Sequence, residues 1–296
     1  MKSGSHVFKT VCLLLAAAAV FTAFAGCGPS GGENTTASGG NKPVVAVTIV
    51  PEGSFARAVC GNLAEVIVLV PPGFSPETYE PAPRDVEAFS RADIYFTVGV
   101  PVEASGYLTH TGSMKVVPLA EKVAQVYPDL TFAGGDRDSH IWLSPKRVKV
   151  MVETIAAEME KLDPENKETY RLNAIAYLAR LDALDDTIKQ SLAGVKNRKF
   201  IVFHPAFGYF ADDYGLEMVA LEQDGKEATP GRLQQMIDFA KAEKIRVIFY
   251  QAEIDSSQSK AFAEEIGGKT AALEPLAENY IENLQSMAKL MAEEMA

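Results

Sequence analysis

The stretch Pro164–Val195, PENKETYRLNAIAYLARLDALDDTIKQSLAGV, decides how the rest of the chain is read. Pro164 suits a helix start, where a missing N–H costs nothing, and Gly194 suits a helix stop. Between them Tyr170, Ile175, Leu178, Leu181, Leu184 and Ile188 recur at helical spacing. About thirty residues rising 1.5 Å each make a rod of roughly 45 Å. A backbone helix over residues 164–194 is therefore long enough to run beside two lobes and join them.

On either side of this rod, short β-rich runs alternate with helical stretches. Before it come VVAVTIV, AEVIVLV, DIYFTVGV and MKVVPLA; after it come KFIVFH, EMVALE, IRVIFYQ and GKTAALE. Near-continuous apolar runs of this kind mark parallel strands covered on both faces. The intervening segments, among them GSFARAVCGN, RDVEAFSRA and TPGRLQQMIDFAKAEK, read as helices. The expected fold class is α/β, with a first lobe over residues 44–163 and a second over 195–296. Each lobe is expected to hold a roughly four-stranded parallel sheet. The last helix carries Met287, Met291 and Met295 four residues apart, a spacing read as core packing. No internal repeat and no dinucleotide-binding glycine fingerprint is present.

The N-terminus reads as an export signal over residues 1–26. Lys2 and Lys9 precede an apolar core too short for a comfortable membrane span, and small residues follow it. Cys27, directly after Ala25-Gly26, suggests a lipidation site. Residues 27–43, rich in Gly, Ser, Thr and Asn, read as a flexible tether. The expected location is thus extracytoplasmic, with the domain anchored as a lipoprotein. Removing residues 1–26 leaves 26 basic and 39 acidic residues, a net charge near −13. That balance argues against nucleic acid and suits cation capture. With Cys12 in the signal and Cys27 at the anchor, only Cys60 remains, so there is no disulfide framework. Cys60 reads as a small buried residue.

Ligands of open α/β sheets bind outside the carboxyl ends of the strands. Four titratable residues fall there: Glu77 in the proline-rich loop VPPGFSPETYEPAPRD, His140 in DSHIWLSP, His204 ending KFIVFH and Glu274 ending KTAALE. Two come from each lobe. Two imidazoles and two carboxylates form a plausible shell for one divalent transition metal. Five prolines stiffen the Glu77 loop, which suits a preorganised ligand. His110, in YLTHTGS, has no such placement and reads as a surface residue.

Together VPPGFSPETYEPAPRD, DSHIWLSPKRV, FIVFHPAFGYFADDYGL and GGKTAALEPL resemble, in order, the zinc/manganese-binding receptors of bacterial ABC importers. These are lipoproteins with a helical backbone between two lobes. The resemblance implies that His140 and His204 are the second and third ligands. Glu77 stands where the family has a histidine, and Glu274 where it has an aspartate. Both departures put the metal preference in question, since carboxylates suit manganese or ferrous iron while histidines favour zinc. Retention of His204 tips the expectation to Zn(2+), with Mn(2+) close behind and Fe(2+) possible. The implied partner is an ABC permease that receives the ion from a monomeric receptor. Rival readings are a surface adhesin of the same fold and a receptor for a metal chelate. A metallohydrolase is disfavoured because no HExxH or comparable paired motif occurs.

Overall fold

A computed structural model describes residues 42–108, 112–222, 226–254 and 257–296. The signal segment, Cys27, the tether up to residue 41 and His110 lie outside the described residues. The first lobe runs β1 (Val44–Val47), α1 (Val50–Cys60), β2 (Glu65–Val68), α2 (Pro83–Phe89), β3 (Ile94–Thr97), α3 (Pro101–Ala104), β4 (Lys115–Pro118) and α4 (Leu119–Ala124). A 3-10 turn at Ile141–Leu143 leads into α5 (Pro145–Leu162), and a second at Pro164–Asn166 leads into α6 (Lys167–Leu192). The second lobe follows as β5 (Lys199–Val202), α7 (Gly208–Tyr214), β6 (Glu217–Ala220), α8 (Pro230–Ala242), β7 (Val247–Gln251), α9 (Ser257–Glu265), β8 (Lys269–Leu273) and α10 (Tyr280–Glu294).

Both sheets are parallel and repeat one topology, β2-β1-β3-β4 and β6-β5-β7-β8. In each, the second strand in space is the first in sequence, so the connections leave in opposite directions and open a crevice at its carboxyl end. Alternation along β5 and β7 explains how the lobes share a core. Phe200, Val247 and Phe249 join a cluster with the first sheet and with α5, α6 and α10, while Ile201 and Ile248 face a smaller cluster under α8 and α9. Residues 41–296 form one compact unit.

The joining helix departs from its expected form in register and length. Pro164 starts a separate 3-10 turn, and the 26 residues of α6 span about 39 Å at 1.5 Å each. Tyr170, Leu181, Leu184 and Ile188 face the core as expected, but Ile175 is 54% exposed. Ala174 and Tyr177 take the inward positions instead. The strands also end earlier than their apolar runs. MKVVPLA stops being strand at Pro118 because Leu119 and Ala120 open α4, and α3 went unread because four residues carry no helical period. Cys60 is fully buried, and burial pushes its thiol up to about 12, which makes it inert. Met287 and Met291 are buried and Met295 packs against the same core.

The segment between the lobes is fastened to the second lobe through its polar atoms. Trp142 Nε1–H donates to the Pro275 carbonyl at 3.0 Å, and the Tyr280 hydroxyl donates to the Trp142 carbonyl at 2.7 Å. Arg147, at the start of α5, pairs with Asp213 of α7 at 2.9 Å, both being nearly inaccessible. The His140 segment thus belongs mechanically to both lobes.

Candidate metal centre

His140 precedes the 3-10 turn, and His204 sits two residues beyond β5; both are buried. Each ring is gripped from behind. His140 Nδ1–H donates to Asp138 Oδ1 at 2.7 Å, and the same oxygen accepts the His140 backbone N–H at 2.9 Å. His204 Nδ1–H donates to Glu222 Oε2 at 2.8 Å. A carboxylate on Nδ1 favours the tautomer that leaves Nε2 bare. The two Nε2 atoms face each other at 3.3 Å. With both Nδ1 atoms carrying the proton, neither Nε2 can donate, and the facing lone pairs call for a shared cation.

The spacing itself fits a metal. Two nitrogens each about 2.0–2.1 Å from a tetrahedral zinc stand about 3.3–3.4 Å apart. Glu77 Oε1 lies 3.9 Å from His140 Nε2, and ligand atoms of Glu77, His140 and His204 all fall within 4.8 Å of one another. The chemistry of this set, two imidazoles and one carboxylate backed by two further carboxylates, suits a divalent cation of intermediate softness.

Local sequence explains why these side chains meet. Glu222 follows β6, which pairs with β5, so its N–H bonds to the Phe203 carbonyl and its side chain reaches the neighbouring His204. Gly208, in FHPAFGYF, leaves room for the other carboxylate: a Cβ there would stand 2.7 Å from Asp138 Oδ2. Tyr209 Oη donates to the Asp138 carbonyl at 3.0 Å, locking the turn that aims His140. Glu77 sits in a turn where its N–H donates to Ser75 Oγ at 3.3 Å.

The structure brings together three of the four expected residues. Glu274 is exposed, one residue past β8. The register pairs Leu273 with Gln251, and β7 intervenes between β8 and β5. At about 4.8 Å per strand, Glu274 starts about 10 Å from the His204 strand. It lies instead near Glu253, whose carboxyl is pushed above the usual range by burial and then by the Glu274 charge. Asp138 and Glu222 were not anticipated. Glu222 ends EMVALE just as His204 ends KFIVFH, so the strand-end criterion would have found it. Asp138 carries only its position two residues before His140 as a signal.

Two parallel α/β lobes joined by a long helix, with this cluster between them, make the architecture of a two-lobed receptor. Residues 45–294 match the family model described as ZnuA, zinc-uptake complex component A, periplasmic. The high-affinity zinc uptake system protein ZnuA of Bacillus subtilis (strain 168) is 30% identical over 286 residues, 91% of this chain and 90% of the relative. The zinc-binding lipoprotein AdcA of Streptococcus pneumoniae serotype 4 (strain ATCC BAA-334 / TIGR4) is 29% identical over 83% of this chain and 54% of its own length. The chain thus spans about half of that longer relative. A crystal structure of a ZnuA superposes with a TM-score of 0.81 at 36% identity, covering 86% of this chain and all of the other. The protein belongs to the ZnuA family of extracytoplasmic metal-binding receptors.

Proposed function

We propose that this protein captures one divalent transition metal between its lobes, zinc in preference to manganese, and delivers it to an ABC permease in the membrane. The observation that carries the reading is the pair of bare Nε2 atoms at 3.3 Å, each with its Nδ1 tied to a carboxylate, buried Asp138 or half-buried Glu222. Glu77, His140 and His204 act as ligands, and Glu274 closes the fourth position when the loop after β8 swings it inward. The names of relatives, a zinc uptake protein and a zinc-binding lipoprotein, support zinc as the cargo. The same lipoprotein supports Cys27 as a lipid anchor, with residues 27–43 as its tether. Among the described residues no helix is long and apolar enough to cross a membrane.

The lobes share a continuous core along α6, so release by modest tilting and loop rearrangement fits better than wide hinge opening. Elemental analysis of the purified protein, followed by competition titration with zinc and manganese, tests the proposal. One equivalent of metal with tighter zinc binding is expected. Absence of bound metal, or metal binding untouched by His140→Ala, would refute it.

A further inference from the structure

The loop that offers Glu77 has few fastenings. On one side the Tyr79 hydroxyl and the Ala82 N–H donate to Asp85 Oδ2 at 2.9 and 3.1 Å. On the other, the Val102 N–H donates to the Pro76 carbonyl at 3.2 Å, on the residue directly before Glu77. Between these points the Thr78 N–H closes a turn onto the Ser75 carbonyl at 3.3 Å. The near-side anchor therefore depends on where α3 stands.

A helix of four residues cannot hold itself, because nucleating one turn costs more than its few hydrogen bonds return. Its Glu103 carboxylate fastens it to the first sheet. Oε1 accepts the Thr48 hydroxyl and, at 3.0 Å, the Val98 N–H; Oε2 accepts the Gly99 N–H at 2.7 Å. These donors lie just beyond the carboxyl ends of β1 and β3. Gly99 has φ +87, a conformation open to glycine, which turns the chain that follows so that Glu103 returns to the Gly99 N–H. A connected path thus runs from the strand ends through Glu103, α3 and Pro76 to Glu77.

We propose that Glu103 is a positioning residue for metal capture: it fixes α3 and so sets where the Glu77 carboxylate stands relative to His140 and His204. The inference rests on the metal-receptor reading and on Glu77 as a ligand. A double-mutant cycle on the full chain separates it from a general structural role, with zinc affinity measured by competition titration. Glu103→Gln keeps the side-chain size but replaces one acceptor oxygen with a donor. It is expected to weaken zinc binding about tenfold, as loss of an outer-shell partner does. In a Glu77→Ala background the same change is expected to alter affinity less than about twofold, since nothing remains to position.

Equal losses in both backgrounds, or no loss in either, would overturn this inference while leaving the receptor reading intact. Unchanged affinity in Glu77→Ala alone would overturn the ligand assignment and this inference with it. If melting shows Glu103→Gln unfolded, Glu103→Asp replaces it in the cycle, keeping both acceptors one methylene short.

Discussion

The histidine half of the site and its carboxylate half are built differently. His140 and His204 are buried and backed by Asp138 and Glu222, and the His140 segment is also hydrogen-bonded to the second lobe through Trp142. Glu77 lies on a half-buried loop held by a handful of bonds, and Glu274 is exposed at a strand end two strands away. A ligand fixed before the metal arrives gives up no ordering entropy on binding, whereas a mobile one does. Under the proposed function, the histidine pair supplies the preformed seat, and the carboxylates complete and close it. Affinity should be concentrated in the first half and adjustment of metal preference in the second.

That division can be broken by substitution. His140→Ala or His204→Ala should have the largest effect, more than about a hundredfold loss of zinc affinity in titration, beyond the range of outer partners. Next come the changes that loosen the rings: Asp138→Ala, Glu222→Ala and Gly208→Ala, each expected to cost about 10–100-fold. Gly208→Ala acts without touching a ligand, by driving a methyl into Asp138, so a normal affinity for it would refute the tight backing. Glu77→His should then raise zinc affinity relative to manganese, because imidazole replaces a hard oxygen donor. A preference moving toward manganese would contradict the assignment of Glu77. Glu274→Ala should have the smallest effect, under about tenfold, given its distance from the preformed seat.

Glu52, a buried acid in α1 outside the metal cluster, gives a stability prediction. Glu52 is inaccessible; one oxygen accepts the Thr48 and Ile49 N–H groups at 3.0 and 3.1 Å, and the other has no partner among the described residues. Burial, then the charge of Glu103, raises its carboxyl well above the ordinary range. The folded protein thus keeps a proton that the unfolded chain releases, so stability falls as pH rises from the ordinary glutamate range toward the folded value. Glu52→Gln keeps an acceptor for both N–H groups and removes the titration. Thermal melts between about pH 5 and 8 should show a flatter profile and a higher melting temperature at the alkaline end. An unchanged profile would show that Glu52 is ionised in the fold.

How far the sequence carries can be seen from particular elements. Strand-end placement named His140, His204 and Glu77, whose ligand atoms the structure brings within 4.8 Å of one another, because parallel sheets gather such loops at one edge. It also named Glu274, which the structure leaves exposed with β7 between β8 and β5, because sequence reading locates a residue at a strand's end but does not give strand order. Ile175 keeps the helical spacing of the apolar positions, yet smaller Ala174 and larger Tyr177 fit the surface that α6 meets. The carboxylates behind the rings escaped because an Asp or Glu reads as solvated until its partner is known. α3 escaped because its stability resides in Glu103 contacts rather than in any period of its own.

X-ray absorption at the zinc edge of the metal-loaded protein tests the central claim most directly. Two imidazole nitrogens at about 2.0–2.1 Å with oxygen donors completing the shell are expected, and the imidazole signal should halve in His204→Ala. A shell of oxygens alone, or an imidazole count unchanged in that variant, would contradict it.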